Sequence, residues 1–196
     1  DRSQELANGG SFRNRAGLLG AVISSSAAVV AAPSAVYADD DFPGGPEQAA
    51  AAQRYSEFRA TWQDRPRTVY VGANDGMMHA FDAGSGITGF ETDGTPIVDY
   101  GTGREKWAYI PREVGATLSR LTNPVFEFTP YVDATPAVRD VFINGQWRTL
   151  LVGALRRGGQ GVYALDVTNP EVSAGDAANV VLWEYSDDLS NAQRMG

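Results

Sequence analysis

The sequence predicts an all-β chain, a partial β-propeller with short helical insertions, and three observations carry that expectation. A strand–turn–strand pattern closing on Ala-x-Asp occurs twice, at Ala80-Phe81-Asp82 and at Ala164-Leu165-Asp166. Each copy is followed by a further strand that carries a tryptophan, Trp107 or Trp183. Each is preceded by a stretch of small and β-branched residues, Ser25-Ser26-Ala27-Ala28-Val29-Val30 or Thr135-Pro136-Ala137-Val138. Composition fits a folded chain: 196 residues, 43% hydrophobic and 20% charged, suffice for one sizeable core or three to four blades. A net charge of −8 without a long Lys/Arg run argues against nucleic acid, whose phosphates demand clustered cations. The absence of Cys excludes a disulfide framework, a thiolate zinc site and a Cys nucleophile. A start at Asp1 instead of Met is expected of a processed or excised piece.

Taken in chain order, the first element is the hardest to assign. Arg13 and Arg15 precede the apolar run Leu18 to Ala32, and Ala35-Val36-Tyr37-Ala38 has the small-residue spacing of a signal-peptidase site. Ser24, Ser25 and Ser26 interrupt the run, so no membrane span is expected. Because the run stands where Thr135-Pro136-Ala137-Val138 stands ahead of the second copy, the repeat favours the innermost strand of a blade over a signal peptide. A helix is expected from Pro46 to Trp62, where Ala51, Tyr55, Phe58 and Trp62 form one apolar stripe and Arg65-Pro66 closes it. Thr68 to Gly72 reads as a strand, Asn74-Asp75-Gly76 as a turn whose Asn and Gly tolerate positive φ, and Met77 to Asp82 as the returning strand. Ala83 to Gly101, glycine-rich and without a period, reads as an inserted loop, followed by Thr102-Gly103 and the strand through Trp107 to Tyr109. A second helix is expected from Arg112 to Leu121, on Val114, Leu118 and Leu121.

The second copy repeats the frame. Asn144-Gly145 marks a hairpin turn, Leu150-Leu151-Val152-Gly153 matches the first strand, and Gly158-Gly159-Gln160-Gly161 replaces the turn. Val162 to Asp166 matches the second strand, and Val181-Leu182-Trp183-Glu184-Tyr185 the tryptophan strand. The Val-Gly pairs are 81 residues apart, the Asp corners 84 and the Trp residues 76, the drift that loops of varying length put on a constant framework. A four-stranded sheet cannot bury both faces alone, so blades stack. The recurring positions Gly72, Asn74, Asp75, Gly76, Asp82, Trp107, Gly153, Gly161, Asp166 and Trp183 are therefore expected to be architectural, the corner Asp residues accepting turn N–H groups and the Trp residues filling space between blades. The expected organisation is a first blade region over 13–111 with its helical insertion at 46–63, a helix and linker over 112–130, a second blade region over 131–186 and the start of a further blade at 187–196, so no closed propeller is expected from these residues.

Signs of catalysis are few. His79, the only histidine, lies in a strand without a Ser or Cys nucleophile motif, and the glycines at 158, 159 and 161 do not open a helix as a dinucleotide loop must. No catalytic, cofactor-binding or metal-ligating residue is assigned. Asp39-Asp40-Asp41 lacks the Gly and distal Glu of an EF-hand-like loop and reads as a solvated turn.

Ala-x-Asp followed by Thr-Gly-x-x-x-Trp is similar to the repeat of pyrroloquinoline-quinone-type propellers. The blocks from Tyr70 to Asp82, Thr102 to Glu105, Trp107 to Pro111, Tyr131 to Pro136, Trp147 to Gly153, Gly158 to Thr168 and Leu182 to Tyr185, with Arg13-Asn14-Arg15 and Leu18-Leu19-Gly20 ahead of them, resemble the C-terminal propeller of the PilY family of type IV pilus biogenesis and adhesin proteins. Ala21 stands where the family usually has an acidic residue, Ala27 departs from its Ser-Ser-Pro strand start, and Pro130 and Ala134 replace its usual His and Gly. The resemblance implies a non-enzymatic propeller of the bacterial cell surface, at a pilus tip or outer membrane, that supports fimbrium biogenesis, twitching motility and surface attachment. It implies pilin or minor pilin subunits and a host or abiotic surface ligand as partners, met through blade loops such as Ala83 to Gly101. It leaves the family's calcium loop, absent from these residues, to the remainder of the family domain. The alternatives are a quinone-dependent dehydrogenase propeller and an outer-membrane assembly scaffold propeller. The dehydrogenase would need more polar residues converging on the axis, and the scaffold shares the repeat without the Gly-Ala-Asn-Asp-Gly and Trp-Arg-Thr blocks.

Overall fold

A computed structural model describes residues 2–186, so the expected further blade at 187–196 lies outside the described residues. Two four-stranded antiparallel sheets carry the fold. The first orders β1 (Ala28–Val30), β2 (Thr68–Gly72), β3 (Met78–Asp82) and β6 (Glu105–Tyr109) as β1-β2-β3-β6, with β4 (Gly86–Phe90) and β5 (Pro96–Asp99) forming a separate hairpin between β3 and β6. The second orders β7 (Ala137–Ile143), β8 (Gln146–Ala154), β9 (Val162–Asp166) and β10 (Val181–Tyr185) in sequence. β-Branched and aromatic side chains dominate β2, and Asn144-Gly145 joins β7 to β8 with φ of 52° and 81°, the two-residue turn that matches strand twist.

One core lies between the sheets. Val30, Tyr70, Met78 and Ala80 of the first sheet meet Leu151, Tyr163 and Leu165 of the second, and Trp107 and Tyr109 pack against them. The registers make the two sheets near copies. Tyr70 pairs with Ala80 and Ala80 with Trp107; Val152 pairs with Ala164 and Ala164 with Trp183. Each last strand carries a bulge immediately before its Trp, at Lys106 and at Leu182. This alignment corrects one detail of the repeat: Tyr70 corresponds to Val152 and Val71 to Gly153, so the two Val-Gly pairs are offset by one residue. A one-residue offset puts side chains on opposite faces, so Gly72 and Gly153 are not equivalent positions.

Four expectations change with the structure. The first helix, α1, spans only Tyr55–Thr61; Pro46–Gln48 is a separate 3₁₀ turn, and Ala51 is exposed. The Gln53 N–H is taken by the Gly145 carbonyl at 3.0 Å, so the helical ladder cannot run back through it. Instead of serving the first sheet, α1 buries Tyr55 and Phe58 against Trp147 of β8, with Tyr55 and Trp147 edge-on at 4.8 Å, each buried ring contributing about 2 kcal/mol. The second helix splits into α2 (Arg112–Gly115) and a 3₁₀ turn over Leu118–Thr122; the Thr117 hydroxyl donates to the Val114 carbonyl at the break. The inserted loop is the β4–β5 hairpin. Asn74 does not supply the positive φ of its turn, which falls on Gly76 at 92°. A last short helix, α3 (Ala177–Val180), leads into β10.

Candidate functional site

The two Asp corners hold different structures. At the first, the Asp82 carboxylate accepts the Thr102 N–H at 2.8 Å, the Thr102 hydroxyl at 2.7 Å and the Gly84 N–H at 3.1 Å. The Thr102 hydroxyl and then these backbone N–H groups hold its pKa down at about 2. Asp99 repeats the device across the neck of the hairpin, accepting Ser85 N–H and Gly101 N–H, both at 2.8 Å. The Arg67 guanidinium donates to the Ala83 and Asp99 carbonyls, tying both sides of the neck to the start of β2. Gly84 and Gly101, at φ 66° and 71°, pass so close that a Cβ on Gly84 would stand 2.3 Å from the Gly101 nitrogen. A rigid neck thus carries a two-stranded arm with exposed apolar side chains: Ile87, Ile97, Phe90 (66% exposed) and, at its base, Tyr100 (77%). At the second corner Asp166 accepts the Thr168 N–H at 3.0 Å and an Arg148 guanidinium N–H at 2.7 Å, and no arm is inserted.

At the opposite end of β2 and β3, the predicted turn is a clasp. Asn74 donates its amide to the Thr129 carbonyl at 2.8 Å, accepts the Tyr131 N–H at 3.1 Å, and its backbone N–H reaches the Ala21 carbonyl at 3.0 Å. Asp75 accepts the Gly20 N–H at 2.7 Å, and a Cβ on Gly76 would meet Leu118 at 2.6 Å. His79 is buried beside this turn with Nε2 3.0 Å from Asp75 and Nδ1 2.5 Å from Glu105, stacked on Phe81 at 5.7 Å. Burial alone would push its pKa down; the hydrogen bonds to Asp75 and then Glu105 outweigh it, so the pKa is raised above 6.5. Asp75 is correspondingly lowered: burial raises it, but the His79 hydrogen bond and the Gly20 N–H prevail. Both imidazole nitrogens are committed to carboxylates, an ion-pair lock and not the arrangement of a general base facing a substrate.

The other predicted positions are distributed through the frame. Trp107 packs against the inter-sheet core, with its ring 5.6 Å from Tyr70, while Trp183 is on the second sheet's far face and 41% exposed. Gly72 abuts the Val132 carbonyl, Gly153 lies under the Tyr163 ring, and Gly161 abuts Glu113. Asp39 accepts the Ser56 N–H and hydroxyl at 2.9 and 2.6 Å, and Asp41 accepts the Ala38 N–H at 2.8 Å, so part of the acidic triplet caps α1. Among the described residues no group of three or more His, Asp or Glu is placed to hold a metal ion, and no helix is long and apolar enough to cross a membrane. Sequence reasoning missed Arg65, whose buried guanidinium donates to the Ala31 carbonyl at 2.7 Å, the Thr149 hydroxyl at 2.9 Å and the Thr168 carbonyl at 3.2 Å. It ties β1's exit to the second sheet, and no local pattern announces a contact across more than eighty residues.

Comparison with known proteins extends these observations. The family model described as the PilY1 beta-propeller domain matches residues 19–196. The type IV pilus biogenesis factor PilY1 of Pseudomonas aeruginosa strain PAK is 39% identical over 194 residues, 96% of this chain and 14% of that protein. A type IV pilus biogenesis factor PilY1 homolog of Xylella fastidiosa strain Temecula1 is 37% identical over 172 residues, 87% of this chain and 12% of that protein. The crystal structure of the Pseudomonas aeruginosa PilY1 C-terminal domain aligns with a TM-score of 0.46 at 38% identity, covering 69% of this chain and 21% of that one. The chain spans about one seventh of the length of the first of these relatives.

Proposed function

The chain belongs to the PilY1 β-propeller family, and from that premise we propose that it is a recognition section of a type IV pilus biogenesis factor, acting by binding and not by catalysis. The observation that carries the reading is the identity of 39% over 96% of the chain to a protein named for pilus biogenesis. The geometry supports a binding role. The two sheets form the frame, His79 is consumed in an ion-pair lock, and the β4–β5 hairpin with its base holds Ile87, Phe90, Ile97 and Tyr100 out to solvent. Apolar surface held out on a rigid neck suits association, because ordering costs are met before the partner arrives. The partners in this reading are pilin or minor pilin subunits and a ligand on a host or abiotic surface, met at a pilus tip or outer membrane; calcium, where the protein uses it, binds outside these residues.

The test is to exchange residues 86–99 for a short Gly/Ser turn within the whole protein and to measure surface pili, twitching and attachment separately. Loss of attachment with pili retained is the expected result. Normal attachment and twitching in the exchanged protein would reject the hairpin as the recognition element, and normal piliation after deletion of the whole section would reject the role in biogenesis.

A further inference from the structure

A cleft of about 500 Å³ opens at the Asn74-Asp75 turn, the end of β2 and β3 remote from the hairpin. One wall is the segment from Phe12 to Ala21 and the other the segment from Leu121 to Phe128. The walls are joined where the Arg13 N–H meets the Thr122 carbonyl at 2.9 Å and Arg13 Nε meets the Leu121 carbonyl at 3.0 Å. Two features set it apart from an ordinary gap. Its walls expose large apolar side chains, among them Leu18 (69% exposed), Leu19 and Phe128. The second is its charge balance. Four charged side chains line the cleft: Glu5, Arg13, Arg15 and Asp75. Glu5 pairs with Arg2 at 3.0 Å and with Arg15 at 3.2 Å, and Asp75 pairs with His79 at 3.0 Å. Arg13 alone of the four has no carboxylate partner among the described residues. Its guanidinium carbon instead lies 3.8 Å from the centre of the Phe126 ring, and with Nε on the Leu121 carbonyl its terminal amino groups are left for an acceptor.

We infer that this cleft is a peptide-binding site that takes a segment of a partner protein in which a carboxylate side chain is flanked by apolar ones, the carboxylate on Arg13 and the apolar groups against Phe126, Phe128 and Leu18. An inorganic anion would satisfy Arg13 but leave the apolar walls in water, and a purely apolar segment would bury the guanidinium without an acceptor at a cost of about 1–3 kcal/mol or more. The volume is that of a site for a few side chains and not for a whole helix face. This site lies apart from the hairpin and does not depend on its role.

The test uses the whole 196-residue chain and two end-blocked, fluorescein-labelled peptides, Gly-Leu-Glu-Phe-Leu-Gly and its Gln counterpart, with binding read by anisotropy. The acidic peptide is expected to bind at least about ten-fold more tightly than the Gln peptide, as a charge-assisted fork pair requires. Arg13→Gln should erase that difference and Arg13→Lys should restore part of it. Phe128→Ser, at an exposed position away from the wall junction, should weaken both peptides and keep their ratio. Equal binding of the two peptides, an unchanged ratio in Arg13→Gln, or peptide-induced amide shifts on the hairpin instead of around Arg13 and Phe126 would overturn the assignment. Dimerisation that buries the cleft and excludes both peptides would also overturn it, giving the site to a second copy of the chain.

Discussion

The first and second sheets share strand order, register and bulge position, yet equivalent residues live in different surroundings. Trp107 and Trp183 each pair with the alanine of an Ala-x-Asp corner, but only Trp107 lies on the face that meets the other sheet. His79 and Tyr163 hold the same ladder position, one locked between two carboxylates, the other buried in the inter-sheet core. Asp82 organises an inserted arm where Asp166 pairs with Arg148. Repetition therefore specifies a backbone frame, and the worth of each repeated side chain is decided by what lies across from it.

The Trp pair should give the largest contrast. Trp107→Ala removes a ring from the inter-sheet core and should cost about 3 kcal/mol, while Trp183→Ala should cost about 1 kcal/mol. Urea unfolding of the two variants measures the difference, and equal midpoints would break the comparison at its main point.

The His79 and Tyr163 pair separates by pH. Because the folded pKa of His79 is raised, its contribution is fully present below the unfolded value near 6.5 and is lost as pH rises through the folded value. Unfolding midpoints measured from pH 5.5 to 8.5 should therefore fall across that window in the wild-type chain, and the slope should flatten in His79→Gln. A slope that survives the substitution would place the titrating group elsewhere.

A smaller effect is expected at the corners. Asp82→Asn should speed hydrogen exchange of the Thr102 and Gly84 amides by about five-fold, the value of roughly 1 kcal/mol of hydrogen bonding, without altering the second corner. Asp82 is lowered, so its contribution holds above the unfolded carboxylate pKa and is lost as pH falls from there through about 2. Asp166→Asn should leave those two amides unchanged.

The smallest change belongs to Tyr163→Phe. The Tyr163 hydroxyl is buried without a hydrogen-bond partner among the described residues, and burial alone pushes its pKa up. Removing it should leave stability within about 0.5 kcal/mol of wild type or raise it. A loss near 2 kcal/mol would mean that the hydroxyl has an acceptor, and the contrast with His79 would weaken.

Much of this frame was legible in the residues. The Ala-x-Asp corners, the Asn144-Gly145 turn, and the place of Ala28–Val30 beside β2 all follow from alternation, turn chemistry and the repeat. Boundaries set by distant contacts were not. Gln53 gives its N–H to a turn over ninety residues away, which shortens α1, and the periodless stretch after Asp82 folds because Asp82, Asp99 and Arg67 pin its neck. Nor did Val-Gly identity reveal the one-residue offset, since two like dipeptides can sit on opposite faces of equivalent strands.

By itself the sequence determined the strand segments, their corners, the family and the absence of thiol chemistry, because these depend on local pattern and residue type. Only the tertiary structure decided that α1 belongs to the second sheet, that His79 is an ion-pair lock, that Arg65 ties the sheets together and that Arg13 faces a cleft with no carboxylate partner among the described residues. Those properties depend on which side chains meet across long loops, and burial and charge pairing are set by that meeting and not by neighbours in the chain.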